Sequence, residues 1–234
     1  MKVVVKMIIS PLERLTHLIT ISICHICGAE AEMLCSDCRD KTFPEFDSRC
    51  YKCNKITAQN VCCSSCRSGS RLRRVWWLGQ YKFEIKNLVR DMKFKRRRSY
   101  AREFGAVLAD TIPFLPKETM VVPIPTASGR VRKRGFDQAK LIAKVFASSR
   151  GLKYCEALVR TTQVDQIGKR RSDRIAQMQN SLIVSRPAEI SGASVLLIDD
   201  VLTTGATLEV AAGLLRDQSA LHVDAAVIAR HLLG

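Results

Sequence analysis

The sequence predicts an α/β fold, a parallel sheet flanked by helices, preceded by a small cysteine-rich domain. Short, wholly apolar runs such as residues 195–198 read as strands buried on both faces. Helical patterns alternate with them through the second half of the chain, the order that builds parallel sheets. The front of the chain is different: nine of the ten cysteines fall between Cys24 and Cys66.

Composition supports a globular protein. Of 234 residues, 47% are hydrophobic and 26% charged, which excludes a disordered or collagen-like chain. That length holds one large domain, or an ordinary domain and a small one. Lysine and arginine total 38 against 22 acidic residues, a net charge of +16. Aromatics are only 6%, which argues against a broad base-stacking surface. Near the N-terminus the longest uncharged stretch, residues 15–29, is too short for a membrane span and carries Thr, Ser, His and two Cys. Residues 1–9 are apolar but broken by Lys2 and Lys6, and no small-residue cleavage site follows, so no signal peptide is expected. Ser10, Pro11 and Glu13 fit the N-cap, first position and capping-box partner of a helix. Residues 1–23 are thus expected to be an N-terminal helical segment of a cytoplasmic protein.

Residues 24–70 carry four C-x-x-C knuckles: Cys24/Cys27, Cys35/Cys38, Cys50/Cys53 and Cys63/Cys66. Each knuckle can put two thiolates on one tetrahedral metal, and two knuckles close a four-cysteine zinc site. Disulfides are the other use of crowded cysteines, but this spacing favours metal in a cytoplasmic protein. The expectation is a double zinc ribbon with two structural Zn2+, since no coordination position is left for substrate. Sequential pairing joins Cys24, Cys27, Cys35 and Cys38, then Cys50, Cys53, Cys63 and Cys66. An interleaved pairing stays open, as does Cys62 in place of Cys63, though Cys63 completes a knuckle with Cys66. His25 is expected to face solvent, and Cys155 to be a partly buried free thiol. Two four-thiolate zinc sites of about −2 each would leave the protein at about +12.

Residues 71–234 form the larger expected domain, and it opens on positive charge. From Arg67 to Arg102 there are 13 basic residues against Glu84 and Asp91. Tyr81, Ile85, Leu88, Val89 and Met92 recur at helical spacing, so a basic amphipathic helix is expected rather than a tail. A charge run is often only a solvated face, but this one is dense and one-signed. Lys93, Lys95, Arg96, Arg97 and Arg98 are the candidate contacts for single-stranded DNA or another polyanion, held electrostatically and released by salt. Beyond it, residues 120–124 read as a strand, 136–150 as a helix closed by Gly151, 207–217 as a helix and 223–229 as a strand.

The chemistry concentrates in residues 195–207. A buried strand ends in Asp199-Asp200, then Thr203-Thr204-Gly205-Ala206-Thr207 leads into a helix. Ligands of open α/β sheets bind at the carboxyl ends of strands. A helix N-terminus attracts phosphate, and Gly205 allows close approach of the backbone. Two carboxylates beside such a cradle suit the hydroxyls of a ribose 5-phosphate compound. The plainer alternative is a helix cap beside a solvated strand end. There is no G-x-x-x-x-G-K-[ST] loop and no G-x-G-x-x-G after a strand, which excludes a P-loop NTPase and argues against a dinucleotide site.

This thirteen-residue run resembles the 5-phosphoribosyl-1-pyrophosphate (PRPP) motif of type I phosphoribosyltransferases. With the knuckles and the basic middle, nearly the whole chain resembles the ComF family of competence-related proteins. Gln80-Tyr81, Asp91 with Lys93-Phe94, Val122-Pro123-Ile124-Pro125, Arg130, Arg134-Gly135-Phe136-Asp137-Gln138-Ala139, and Arg160, Gln166 and Arg174 match its pattern. Asp137 and Gln177 stand where the family usually has Asn, changes expected to weaken or alter ligand binding.

The resemblance implies that Asp199 and Asp200 hold the ribose hydroxyls, as the candidate catalytic residues, and that residues 203–207 hold the 5-phosphate. The 123–125 turn stands at the place of a pyrophosphate loop, with Arg130 and Arg134 as candidate PRPP contacts beside Arg132 and Lys133. Mg2+ would arrive with PRPP. The family implies a role with single-stranded DNA during uptake, alongside helicase or channel proteins. Two other readings stay open: a true phosphoribosyltransferase of nucleotide metabolism or salvage, and a PRPP-sensing nucleic-acid-binding module without catalysis. No acceptor-binding hood is recognisable in the sequence.

Overall fold

The computed structural model describes residues 23–31, 33–44, 48–160 and 182–231. Ser10, Pro11 and Glu13 lie outside the described residues, as do Gln166, Arg174 and Gln177. The chain forms two compact units, Met1–Pro44 and Glu45–Gly234, dividing between the two pairs of knuckles.

In the first unit a turn at Gly28 (φ 76°) folds the first knuckle back on itself, with Gly28 N–H donating to Cys24 O at 2.9 Å. Helix α1 (Ser36–Thr42) starts immediately after Cys35 and carries Cys38.

The second unit opens on the other two knuckles. Asn54 N–H donates to Cys50 O at 2.9 Å, closing a turn, and helix α2 (Ser64–Arg67) starts after Cys63. The elements then run β1 (Val75–Gln80), α3 (Phe83–Phe94), α4 (Arg98–Thr111), β2 (Met120–Pro123), α5 (Ser128–Arg134) and α6 (Gln138–Arg150). They continue with β3 (Lys153–Tyr154), β4 (Leu158–Arg160), β5 (Leu182–Val184), α7 (Pro187–Ile190), β6 (Ser194–Leu202), α8 (Ala206–Asp217) and β7 (His222–Arg230).

Five strands form a parallel sheet in the order β1-β7-β6-β2-β3. Strand β6 is central, with Leu197 opposite Val122 on one side and Ala225 on the other. Residues 195–198 are all buried, so both faces of this apolar run are covered. Strands β4 and β5 form a separate antiparallel pair.

The basic region differs from the single helix expected. Its front, Val75–Gln80, is edge strand β1, pairing with β7. The helix then breaks at residues 95–97, where Arg96 takes φ 56°, and α4 begins afresh. Ile85, Leu88, Val89 and Met92 are the buried stripe of α3, while Tyr81 lies before the helix. Helix α4 packs on α6 so closely that a Cβ at Gly105 would lie 2.8 Å from Ile142 O and 2.8 Å from Val145 Cβ.

Candidate functional site

The acidic pair lies near the carboxyl end of β6. Asp200 is buried at 7% exposure, and its two oxygens have different partners. Oδ1 accepts from Lys93 Nζ at 2.8 Å, and Oδ2 accepts from Gln138 Nε2 at 2.8 Å. Asp200 N–H in turn donates to Asp199 Oδ1 at 2.8 Å. Asp200 is thus held from two sides, by α3 and α6. Asp199 is pushed up to about 7, by burial first and then by the Asp200 carboxylate, against the pull of that N–H and of Lys93 and Arg160. Gln138 Oε1 is a buried acceptor that finds no partner among the described residues.

Residues 203–205 turn directly off β6 into α8. Gly205 precedes the helix at φ 80°, a left-handed conformation that glycine adopts without strain. Thr203 and Thr204 are exposed, and Thr204 Oγ1 accepts from Ala206 N–H at 3.3 Å. No side chain caps α8 from the Gly205 position, so the positive end of a twelve-residue helix faces the turn.

The 123–125 turn sits beside β6, with Ile124 N–H donating to Ile198 O at 2.9 Å. Helix α5 follows and ends at Gly135 (φ 80°). Arg130, Arg132 and Lys133 are exposed and Arg134 is half-buried. Arg160 Nε donates to Pro125 O at 2.7 Å, and its guanidinium acts electrostatically on Asp199 and Arg130. Asp137 uses both oxygens locally. They accept from Thr126 N–H at 3.0 Å, Thr126 Oγ1 at 3.1 Å and Lys140 N–H at 3.3 Å. The acid therefore stitches the turn to the start of α6 as its N-cap.

The basic run and α5 meet. Arg96 Nε donates to Lys133 O at 3.2 Å and Arg98 Nη2 to Gly135 O at 2.7 Å, with Arg98 also stacked over Phe136. Lys95 pairs with Asp91 at 2.9 Å, and Arg97 lies over the Tyr100 ring. Two segments of one charge are thereby held side by side, with exposed Phe94 at the end of α3 next to them.

The cysteines form two groups of four, Cys24, Cys27, Cys35 and Cys38, and Cys50, Cys53, Cys63 and Cys66. Within each, the sulfurs lie within 4.8 Å of one another. The pairing is sequential. Cys27 and Cys35 approach to 3.6 Å and Cys53 and Cys63 to 3.4 Å, near the ~3.8 Å edge of a tetrahedron with 2.3 Å metal–sulfur bonds. The Ser65 hydroxyl and then Cys53 pull the Cys63 thiol down to about 6, toward the thiolate a metal needs. Cys62 belongs instead to the hydrophobic core at 3% exposure, and burial pushes its thiol up to about 11. Cys155 is buried at 3%, more deeply than expected, and burial raises its thiol too.

Residues 117–232 match the phosphoribosyl transferase domain. Competence protein ComFC of Bacillus subtilis (strain 168) is 26% identical over 190 residues, 77% of each chain. Competence protein ComFC of Streptococcus pneumoniae (strain ATCC BAA-255 / R6) is 29% identical over 199 residues, 81% of this chain and 84% of that one. The chain is thus similar to ComF-type competence proteins over about four-fifths of its length. The solved glutamine phosphoribosylpyrophosphate amidotransferase from B. subtilis, complexed with ADP and GMP, overlaps 56% of this chain and 26% of its own, at 19% identity and a TM-score of 0.41.

One residue of the chain moves between the two sites that its sequence implies. Lys93 was expected on the polyanion face, but its ammonium turns inward to Asp200. Helical periodicity explains this, because Lys93 follows Val89 by four residues on the buried stripe of α3. Gln138 reaches the same carboxylate from α6. Tyr51, inside the third knuckle, lies against Gly205, with ring carbons 3.5 and 3.9 Å from where a Cβ there would stand. Gln138 lies in the family-like stretch 134–139 without being marked there as a site residue, and no local pattern announces Tyr51. Both arrive from distant parts of the sequence.

Proposed function

We propose that this is a ComF-type protein that binds PRPP with Mg2+ and engages single-stranded DNA in the cytoplasm during DNA uptake, beside helicase or channel proteins. One observation carries the PRPP reading: a carboxylate pair on the central strand, with Asp200 clamped by Lys93 and Gln138, leads into a left-handed glycine at the start of a helix. Asp199 and Asp200 would accept hydrogen bonds from ribose hydroxyls, while residues 203–207 would receive the 5-phosphate. Arg130 and Arg134 would face the pyrophosphate. The oxygen donors suit Mg2+, which the pyrophosphate itself would largely carry. In both cysteine groups, four closely spaced sulfurs suit Zn2+ and leave no open position, which supports a structural role. The positive surface of Lys95, Arg96, Arg97 and Arg98 beside α5 supports the DNA reading.

The test is pyrophosphate release from Mg-PRPP with pooled nucleobases and amines, comparing the native protein with Asp199→Asn/Asp200→Asn. Binding without turnover, abolished in the variant, is the expected result and fits a ligand-gated nucleic-acid binder. Acceptor-dependent release lost in the variant would make the protein a phosphoribosyltransferase. No binding at all would remove the PRPP reading.

A further inference from the structure

The second cysteine group is built into the wall of the phosphate loop. Tyr51 stands between ligand candidates Cys50 and Cys53 and is 5% exposed. Its carbonyl accepts from Arg230 Nη2 at 2.7 Å, at the end of β7, and Arg230 Nη1 donates to Asn54 Oδ1 at 2.9 Å. The phenol hydroxyl contacts Ser70 Oγ at 2.6 Å and donates to Glu209 Oε1. Its ring packs against the Gly205 turn.

Glu209 gives this contact its electrostatic meaning. It occupies the first turn of α8, where a carboxylate would oppose an incoming phosphate. The knuckle engages it instead. Lys52 Nζ lies 3.3 Å from Oε1, and Arg71 N–H donates to Oε2 at 2.8 Å. One cysteine knuckle therefore both buttresses the glycine turn and draws the adjacent negative charge away from it.

We infer that metal in the Cys50, Cys53, Cys63 and Cys66 group sets the geometry of residues 203–209, with Tyr51 and Glu209 as positioning residues. Metal occupancy at this group then controls affinity for a phosphorylated ligand, and the Cys24, Cys27, Cys35 and Cys38 group does not. The affinity claim rests on reading residues 203–207 as a phosphate loop; the claim about loop geometry does not.

The full-length, zinc-loaded protein tests both. Hydrogen exchange at residues 203–209 reads the loop, and calorimetric titration with Mg-PRPP reads the ligand. Tyr51→Ala, with zinc content checked, should raise loop exchange about tenfold and weaken Mg-PRPP about tenfold, leaving β2 and α6 unchanged. Cys53→Ser/Cys63→Ser should do the same, and Cys24→Ser/Cys27→Ser should not. If metal loss also loosens β2, Tyr51→Phe decides, because it keeps ring and metal while removing the phenol's own bond to Glu209. Loop exchange unchanged in Tyr51→Ala and Tyr51→Phe overturns the inference. A faster loop in a protein whose wild type never binds Mg-PRPP upholds the positioning and removes only the phosphate reading.

Discussion

Asp199 and Asp200 are adjacent in sequence but opposite in electrostatic character. Asp200 has a cation and an amide on its oxygens, whereas Asp199 is raised from 3.8 to about 7. A carboxyl raised in the folded state favours folding while protonated. Its contribution is complete below about pH 4 and is lost as pH climbs through about 7. Thermal melts of the ligand-free protein should show this loss between those limits, and Asp199→Asn should flatten the curve. Binding of a Mg-bound ligand should strengthen over the same interval, because its cation favours ionised Asp199. Gly205→Ala tests the loop differently. The added methyl meets Leu202 and Tyr51 at ordinary contact distances of 3.4 and 3.5 Å, so the cost is conformational, about 1–2 kcal/mol at φ 80°. Phosphate affinity should fall with little loss of fold, measured by calorimetry and a denaturation midpoint together.

Among the elements, the junction of α3 and α4 does most to shape the basic surface. The break at Arg96 turns Arg96 and Arg98 onto the carbonyls that end α5. Replacing Lys95, Arg96, Arg97 and Arg98 with alanine should weaken single-stranded DNA binding and reduce the slope of log K against log salt by about 3. PRPP affinity should change little, which a parallel titration checks. Helix α4 is held by close packing on α6, and Gly105→Ala places a methyl 2.8 Å from backbone and side chain. A loss of about 1–3 kcal/mol in urea unfolding is expected. Legibility in the sequence follows the range of the interactions. Residues 195–207 read correctly as strand, acidic end, turn and helix because each cue is local. Val75–Gln80 did not, because surrounding arginines and lysines hide a short apolar strand whose reason for existing is β7, far along the chain. Lys93 was misplaced because composition reports charge and not the direction a side chain takes.

At the scale of the molecule, the two cysteine groups were legible as metal sites, but not how they pair. All four knuckles look alike in sequence, and the fold bears out Cys63, the residue that the C-x-x-C spacing favoured over the buried Cys62. The groups also fall in different units, one with α1 and one with the parallel sheet. Removing metal should therefore act in two steps of different consequence. Chelator titration followed by near-ultraviolet circular dichroism should show the second group's loss perturbing Trp77, which stacks under Arg230, and the first group's loss leaving it unchanged.

The sheet order has a consequence for the chain as it is made. Strand β1 is the first strand of the large unit to leave the ribosome, yet its partner is β7, the last. Until residues 222–230 emerge, β1 has no neighbour and Arg230 cannot clasp the third knuckle. The third knuckle and β1 thus stay without their late partner through most of synthesis, and slower translation lengthens that wait.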